Sequence, residues 1–92
     1  MLKHIVLWKM KEDVSDEQKQ EMKLRLDALN GKVPELLSID VGIDLENGTM
    51  SLVSEFNSAE DLASYQVHPD HQAVVGFVKP LVAERTVCDY VA

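Results

Sequence analysis

The segment from Leu37 to Asn57 constrains the fold most, because its pattern is that of a β-hairpin. From Leu37 to Leu45 an apolar residue at every second position alternates with Ser, Asp or Gly, which is the period of a strand with one buried face. Asn47 and Gly48 follow, a pair preferred in type I′ turns, where both positions need a positive φ. We therefore predict a return strand from Thr49 to Asn57 that buries Met50, Leu52 and Phe56.

The segment from Leu2 to Met10 is rich in β-branched and aromatic residues and predicts a first strand. Ile5 and Leu7 make one of its faces apolar, and the other face carries His4, Val6, Trp8 and Met10. A strand that is apolar on both faces is expected to be covered on both sides.

Two segments have the pattern of helices that begin after a capping serine. Ser15, with Gln18 three residues later, predicts a capping box and a helix from Asp16 to Asn30. Gly31 is its expected stop, and its apolar face carries Met22, Leu26 and Leu29. Ser58 caps a second helix that turns Leu62 and Tyr65 inward.

Pro69 divides this second helical region. The residue before a proline avoids the α conformation, so His68 should lie at a break, and Pro69 should begin a further helical segment to about Lys79. Glu84 to Ala92 supplies a last strand. The order β-α-β-β-α-β predicts a ferredoxin-like α+β protomer with a four-stranded antiparallel sheet and helices on one face.

The second sheet face has no helices to cover it in this plan. The first strand and the alternating stripe from Leu37 to Leu45 indicate that this face is not left in water. Two sheets packed face to face would cover it, so we expect a homodimer that forms a dimeric α/β barrel.

The composition limits which classes of partner and which cellular compartment are expected. The chain of 92 residues, expected to be a single domain over residues 1–92, has 9 basic and 16 acidic residues, a formal charge of −7. Such a balance repels phosphate backbones and anionic lipid, so neither nucleic acid nor membrane is an expected partner. Cys88 is the only cysteine, which fits a reducing compartment, and the chain is expected to be cytoplasmic. Its apolar neighbours predict a buried, inert thiol.

Tyr65, His68 and His71 lie within seven residues, in "YQVHPDH". His71, in the first turn after Pro69, should stay neutral beside the positive end of the helix dipole, as a general base requires. Tyr65 could donate its hydroxyl to a developing oxyanion. His4 shares the face of Val6 and Trp8. The residues expected to line a pocket around this group are Val6, Trp8, Met22, Met50 and Leu52.

The histidines of this segment can also be interpreted as structural residues or as metal ligands. "HPDH" is also a good helix start, and buried Tyr and His residues are common. His68 and His71 have the spacing of two metal ligands on one helix face, but no third ligand is identified, so no metal or other cofactor is expected.

"KHIVLWKMK", "YxxHPDHQAVVGFVKPL" and "CDY" together resemble the stress-responsive A/B barrel domain (Dabb) family, over Leu2 to Val91. The resemblance implies dimeric α+β barrels. It extends to a plant polyketide cyclase, olivetolic acid cyclase, whose metal-independent aldol cyclisation uses a base histidine that matches His71. Its supporting tyrosine matches Tyr65 and a pocket histidine matches His4, whereas another pocket histidine falls at Met50.

The resemblance implies two functions of different classes. One is a cyclase-like or lyase-like enzyme that uses a His/Tyr pair on a small apolar or polyketide-like ligand. The other is a non-catalytic dimeric domain that binds such a ligand or is associated with stress. Retention of Tyr65, His68 and His71 favours the first, and the loss of a histidine at Met50 favours the second.

Overall fold

The computed structural model describes all 92 residues, as four strands and three helices. The four strands pair antiparallel in the order β2-β3-β1-β4, which confirms the ferredoxin-like plan, with its second helix divided at Pro69. A 3₁₀ turn, Lys79–Leu81, joins the last helix to the last strand. The elements are β1 (Leu2–Met10), α1 (Asp16–Asp27), β2 (Ser38–Ile43), β3 (Met50–Phe56), α2 (Ala59–Val67), α3 (Pro69–Val78) and β4 (Val82–Val91).

The core lies between the three helices and the sheet face that we call the inner face. β1 is a central strand between β3 and β4, so its apolar residues lie in the middle of both sheet faces. Its inner side chains are buried against residues of all three helices, and Leu52 and Phe56 of β3 continue the same layer. The helical contribution to this core comes from Met22, Leu26, Leu62, Tyr65 and Val78.

The helix starts follow the predictions, and one helix end does not. The Gln18 amide donates to Ser15 Oγ at 3.1 Å and the Ser15 amide donates to Gln18 Oε1 at 2.9 Å, so the capping box is present. The first helix ends at Asp27 instead of Asn30, because the amides of Leu29 and Asn30 bond three residues back, in tighter turns. None of the three helices combines the length and apolar character needed to cross a bilayer.

The hairpin is confirmed, but its turn is not of type I′. Gly48 has a φ of 71°, whereas no residue other than glycine has a positive φ, so Asn47 does not take the predicted conformation. Asp44 explains the difference, since its carboxylate accepts the amides of Glu46 and Asn47 at 2.9 and 2.8 Å. The resulting loop is longer than two residues, and the Asp44 amide donates to the Thr49 carbonyl at 2.7 Å to close it.

The sheet face away from the helices, which we call the outer face, differs from the prediction. Val41 is buried and Ile39 and Ile43 pack against the core, so the stripe of β2 covers the inner face and not the outer one. Its two ends, Leu37 and Leu45, are exposed.

The apolar centre of the outer face is instead formed by four neighbouring residues of β3, β1 and β4, namely Val53, Ile5, Leu7 and Cys88. Cys88 was predicted to be buried but is exposed in the single chain, because β4 is an edge strand that no helix covers.

Candidate active site

A cavity of about 480 Å³ opens between the inner face of the sheet and α3. Its volume lies within the range of ordinary small-molecule sites. The apolar side chains of its wall come mainly from β1 and α3. Its polar side chains come from β1, α2, α3, β4 and the 3₁₀ turn. These polar residues are His4, Tyr65, His71, Gln72, Lys79, Glu84 and Arg85.

His71 lies in the first turn of α3, where the break at Pro69 turns its ring back toward the end of α2. Its Nδ1 is 3.0 Å from the carbonyl oxygen of Gln66. A carbonyl can only accept, so Nδ1 carries the proton and donates it. In the neutral ring Nε2 is then the unprotonated nitrogen, which is the form that a general base requires.

The pKa of His71 is lowered, which keeps this ring neutral. The largest cause is burial, which disfavours the charged imidazolium. The hydrogen bond to Gln66 opposes the shift, while the nearby charges of His4, Arg85 and His68 add to it. The neutral ring was expected from the helix dipole, so the direction agrees with the sequence and the principal cause is different.

Tyr65 packs directly against His71. Their ring centroids are 4.3 Å apart, and the ring centroid of Phe56 lies 5.1 Å from that of Tyr65. Burial raises the pKa of Tyr65 to about 12. Its hydroxyl therefore keeps its proton at neutral pH and is available as a hydrogen-bond donor.

His4 enters the cavity wall from β1 and is held by a residue that sequence reasoning missed. Its Nδ1 is 2.5 Å from Oδ1 of Asp89, which stands directly opposite it on β4. An ionised carboxylate only accepts, so this contact places the His4 proton on Nδ1 and leaves Nε2 free. No local pattern pointed to Asp89, because the contact joins the first strand of the chain to the last.

His68 has a separate role. It caps α3, and its Nδ1 accepts the amide of Asp70 at 3.1 Å. It does not line the cavity, which agrees with its predicted role in the turn. No group of three or more His, Cys, Asp and Glu side chains is arranged as a metal site.

The predicted pocket residues divide into two groups. Val6, Trp8 and Leu52 line the cavity with His4, Tyr65 and His71, whereas Met22 and Met50 do not. Both methionines are 0% exposed in the packed core, where close packing leaves no cavity beside them.

The cavity also has a wall of α3 side chains that the sequence analysis did not single out. Val75 and Val78 follow His71 at four and seven residues and so share its helix face, a spacing that could have revealed them. Val74 and Gln72 complete this wall. Arg85 reaches the cavity from β4, where it pairs with Trp8.

Comparison with known proteins gives one family over nearly the whole chain. The model of the family described as "Stress responsive A/B Barrel Domain" matches residues 2–92. Among curated proteins no match is found.

Solved structures match the fold closely. A dimeric protein of unknown function with a ferredoxin-like fold from Bacteroides fragilis is 32% identical, with a TM-score of 0.89, 99% of this chain covered and 95% of the other. A dimeric ferredoxin-like protein of unknown function from Thermobifida fusca is 26% identical, with a TM-score of 0.89 and coverages of 99% and 90%. A hydroxynitrile lyase from Passiflora edulis is 21% identical, with a TM-score of 0.87 and coverages of 99% and 92%, and its likeness concerns the fold alone.

Proposed function

This chain belongs to the stress-responsive A/B barrel domain family, and on that premise we propose that its cavity is an active site for proton abstraction next to a carbonyl group. The observation that carries the proposal is the geometry of His71. Its Nδ1 proton is engaged by the Gln66 carbonyl at 3.0 Å, its ring lines the cavity and its pKa is lowered. These are the properties of a neutral general base that faces a bound substrate.

The proposed reaction begins with cleavage of a C–H bond. The proton passes to Nε2 of His71 and the electron pair moves to the carbonyl oxygen of the substrate, which becomes an enolate. Tyr65 donates a hydrogen bond to that oxygen, and its raised pKa, about 12, keeps the donor protonated.

The enolate carbon then attacks a second carbonyl of the same molecule in a cyclisation, or expels a leaving group in a lyase reaction. The imidazolium of His71 returns its proton to the new alkoxide or to the leaving group. His4, oriented by Asp89 at 2.5 Å, supplies a second polar contact at the same wall. The valine-rich walls keep water from the enolate.

Exchange of carbon-bound hydrogen in deuterium oxide tests the first step without knowledge of the natural substrate. 2-Octanone and 2-oxooctanoate are suitable probes, since both carry C–H bonds next to a carbonyl and an apolar chain. We expect the protein to accelerate deuterium incorporation and His71→Ala to abolish the acceleration. Tyr65→Phe should reduce it roughly 100-fold, the loss typical of one oxyanion donor.

His68→Gln is the matched control, because it changes the neighbouring histidine that caps the helix and does not line the cavity. It should retain the exchange activity. If the wild-type protein accelerates exchange of neither probe beyond His71→Ala, the catalytic proposal fails.

That result would support the second function, in which the domain binds a small molecule without transforming it. The position of Met50 favours this second function. Met50 lies in the packed core and not in the cavity wall, so β3 contributes only Leu52 to the cavity and no polar group.

We also propose that the outer face forms a homodimer interface. Its apolar centre is flanked by cross-strand pairs of opposite charge, Lys3 with Glu55 on one side and Lys9 with Glu84 on the other. An apolar centre with a charged rim is typical of protein interfaces, and pairs of both signs can match their own copies across a two-fold axis. The Bacteroides fragilis and Thermobifida fusca neighbours, both dimeric, support this proposal.

A further inference from the structure

The cavity carries positive charge that no acidic side chain neutralises. Arg85 and Lys79 both line it, and neither takes part in any ion pair of the chain. Both residues are exposed, so they lie at the mouth and not at the floor. This is unusual in a chain with a formal charge of −7, where acidic side chains greatly outnumber basic ones.

Glu84 is the one acidic residue of the cavity wall, and its carboxylate belongs to the other side of the sheet. Successive residues of a strand point to opposite faces. Arg85 stands opposite Trp8, whose side chain is buried on the inner face, and Glu84 stands opposite Lys9 of the outer face. Strand alternation therefore directs the Glu84 side chain away from that of Arg85, and no ion pair joins the two residues.

Arg85 lines the same cavity as His71, and its charge is among the smaller causes that lower the pKa of that histidine. An anionic group bound by Arg85 would therefore lie in the cavity that His71 also lines.

The interior beyond this mouth is apolar. Val6 and Trp8 of β1 face Val75 and Val78 of α3 across the cavity, and Leu52 and Leu26 extend the apolar surface inward. A chain or ring of carbon atoms fits this interior, whereas a second charge would be desolvated there without a partner.

From this arrangement we propose that the cavity binds amphipathic carboxylic acids, with the apolar body between β1 and α3 and the carboxylate on Arg85, assisted by Lys79. The inference rests on the proposed function of the cavity, and it specifies the substrate class as an apolar oxo acid. The planar guanidinium matches a carboxylate with two parallel hydrogen bonds.

Octanoate and octanamide test this inference, because they share one apolar chain and differ in charge at the head group. The protein is titrated with each, and binding is followed by the NMR signals of the His71 ring and the Trp8 indole. We expect octanoate to bind roughly fivefold more tightly than octanamide, as for a partly exposed charge pair. In Arg85→Gln this preference should disappear, with octanamide binding unchanged.

Arg25→Gln is the matched control, since it removes the only other arginine and the same unit of charge. Arg25 pairs with Glu21 at 3.1 Å and does not line the cavity, so the preference for octanoate should persist. The inference is overturned if octanamide binds as tightly as octanoate to the wild-type protein, if Arg25→Gln loses the preference as fully as Arg85→Gln, or if neither compound shifts the two signals.

The binding test of the substrate class and the exchange test of the catalytic proposal can fail independently. Exchange of 2-octanone depends on His71 and needs no carboxylate. Intact exchange without a preference for octanoate would therefore overturn the substrate class alone. A preference for octanoate in a protein that exchanges neither probe would overturn the catalytic proposal alone.

Discussion

At the scale of single residues, the protonation of His71 decides what the cavity can do. One nitrogen is committed to the Gln66 carbonyl at 3.0 Å, and burial resists the addition of a second proton. A histidine in water would be partly charged near pH 6.5, whereas a smaller fraction of this ring is charged at the same pH.

This lowered pKa predicts a particular pH dependence. The rate of deuterium exchange should decline as the pH falls, with a midpoint below 6.5, the ordinary pKa of a histidine. The free energy of unfolding should change with pH in the same direction as the rate, since below pH 6.5 the unfolded chain binds more protons at His71 than the folded chain does. The free energy of unfolding should therefore decrease as the pH falls from 6.5 toward the pKa of the folded state. NMR titration of the His71 ring measures the pKa on which both effects depend. A titration midpoint at or above pH 6.5 would contradict them.

At the scale of the elements, the β2–β3 loop shows how the backbone selects glycine. Gly48 has a φ of 71°, in the left-handed region, and a Cβ at this position would collide with the amine of Lys19. Gly76, within α3, has an ordinary helical φ and open space where a Cβ would lie.

These two glycines should respond in opposite directions to the same substitution. Gly48→Ala should lower the free energy of unfolding by about 1–2 kcal/mol, because alanine is strained in the left-handed region. Gly76→Ala should raise it by about 0.5–1 kcal/mol, because alanine favours the helix. Urea denaturation measures both changes, and equal effects of the two substitutions would contradict this account of the loop.

The elements that could be predicted are those with local signals. Ser15 with Gln18 marks the start of α1, and Pro69 marks the division between α2 and α3, because capping and proline sterics act within a few residues. The type I′ turn predicted at Asn47 was wrong, because the Asp44 carboxylate accepts hydrogen bonds from the loop amides and stabilises a longer loop.

The candidate site could be predicted only where its residues are close in the chain. Tyr65 and His71 share one short segment, and the structure brings their rings together. Asp89 and Arg85 depend on the register between β1 and β4, which joins the two ends of the chain and leaves no local trace. Met50 was assigned to the pocket because the resemblance places a pocket histidine at this position, whereas here the side chain belongs to the packed core.

At the scale of the whole molecule, the two sheet faces serve different purposes. The inner face carries the cavity, on the side of the sheet opposite to the outer face. The outer face carries the proposed dimer interface, where Leu7 is 47% exposed in the single chain. A change at Leu7 should thus disturb assembly and leave the site in place.

We expect Leu7→Glu to give folded monomers at micromolar concentration, because two new charges would face each other across the two-fold axis. The wild-type protein should sediment as a dimer. Leu24→Glu is the matched control, since Leu24 is 65% exposed on α1, and it should remain dimeric. A wild-type protein that sediments as a monomer would refute the interface.

His71 has the central role in the proposed reaction as the base, and chemical rescue measures that role directly. Deuterium exchange of 2-oxooctanoate is followed in His71→Ala while imidazole is added. The truncated side chain leaves room for the added base beside Tyr65, so the rate should rise with the concentration of neutral imidazole, well above its rise in free solution. Two results would contradict the role of His71 as the base. One is an exchange rate in His71→Ala equal to that of the wild-type protein, and the other is a rate in His71→Ala that imidazole raises no more than it raises the rate without protein.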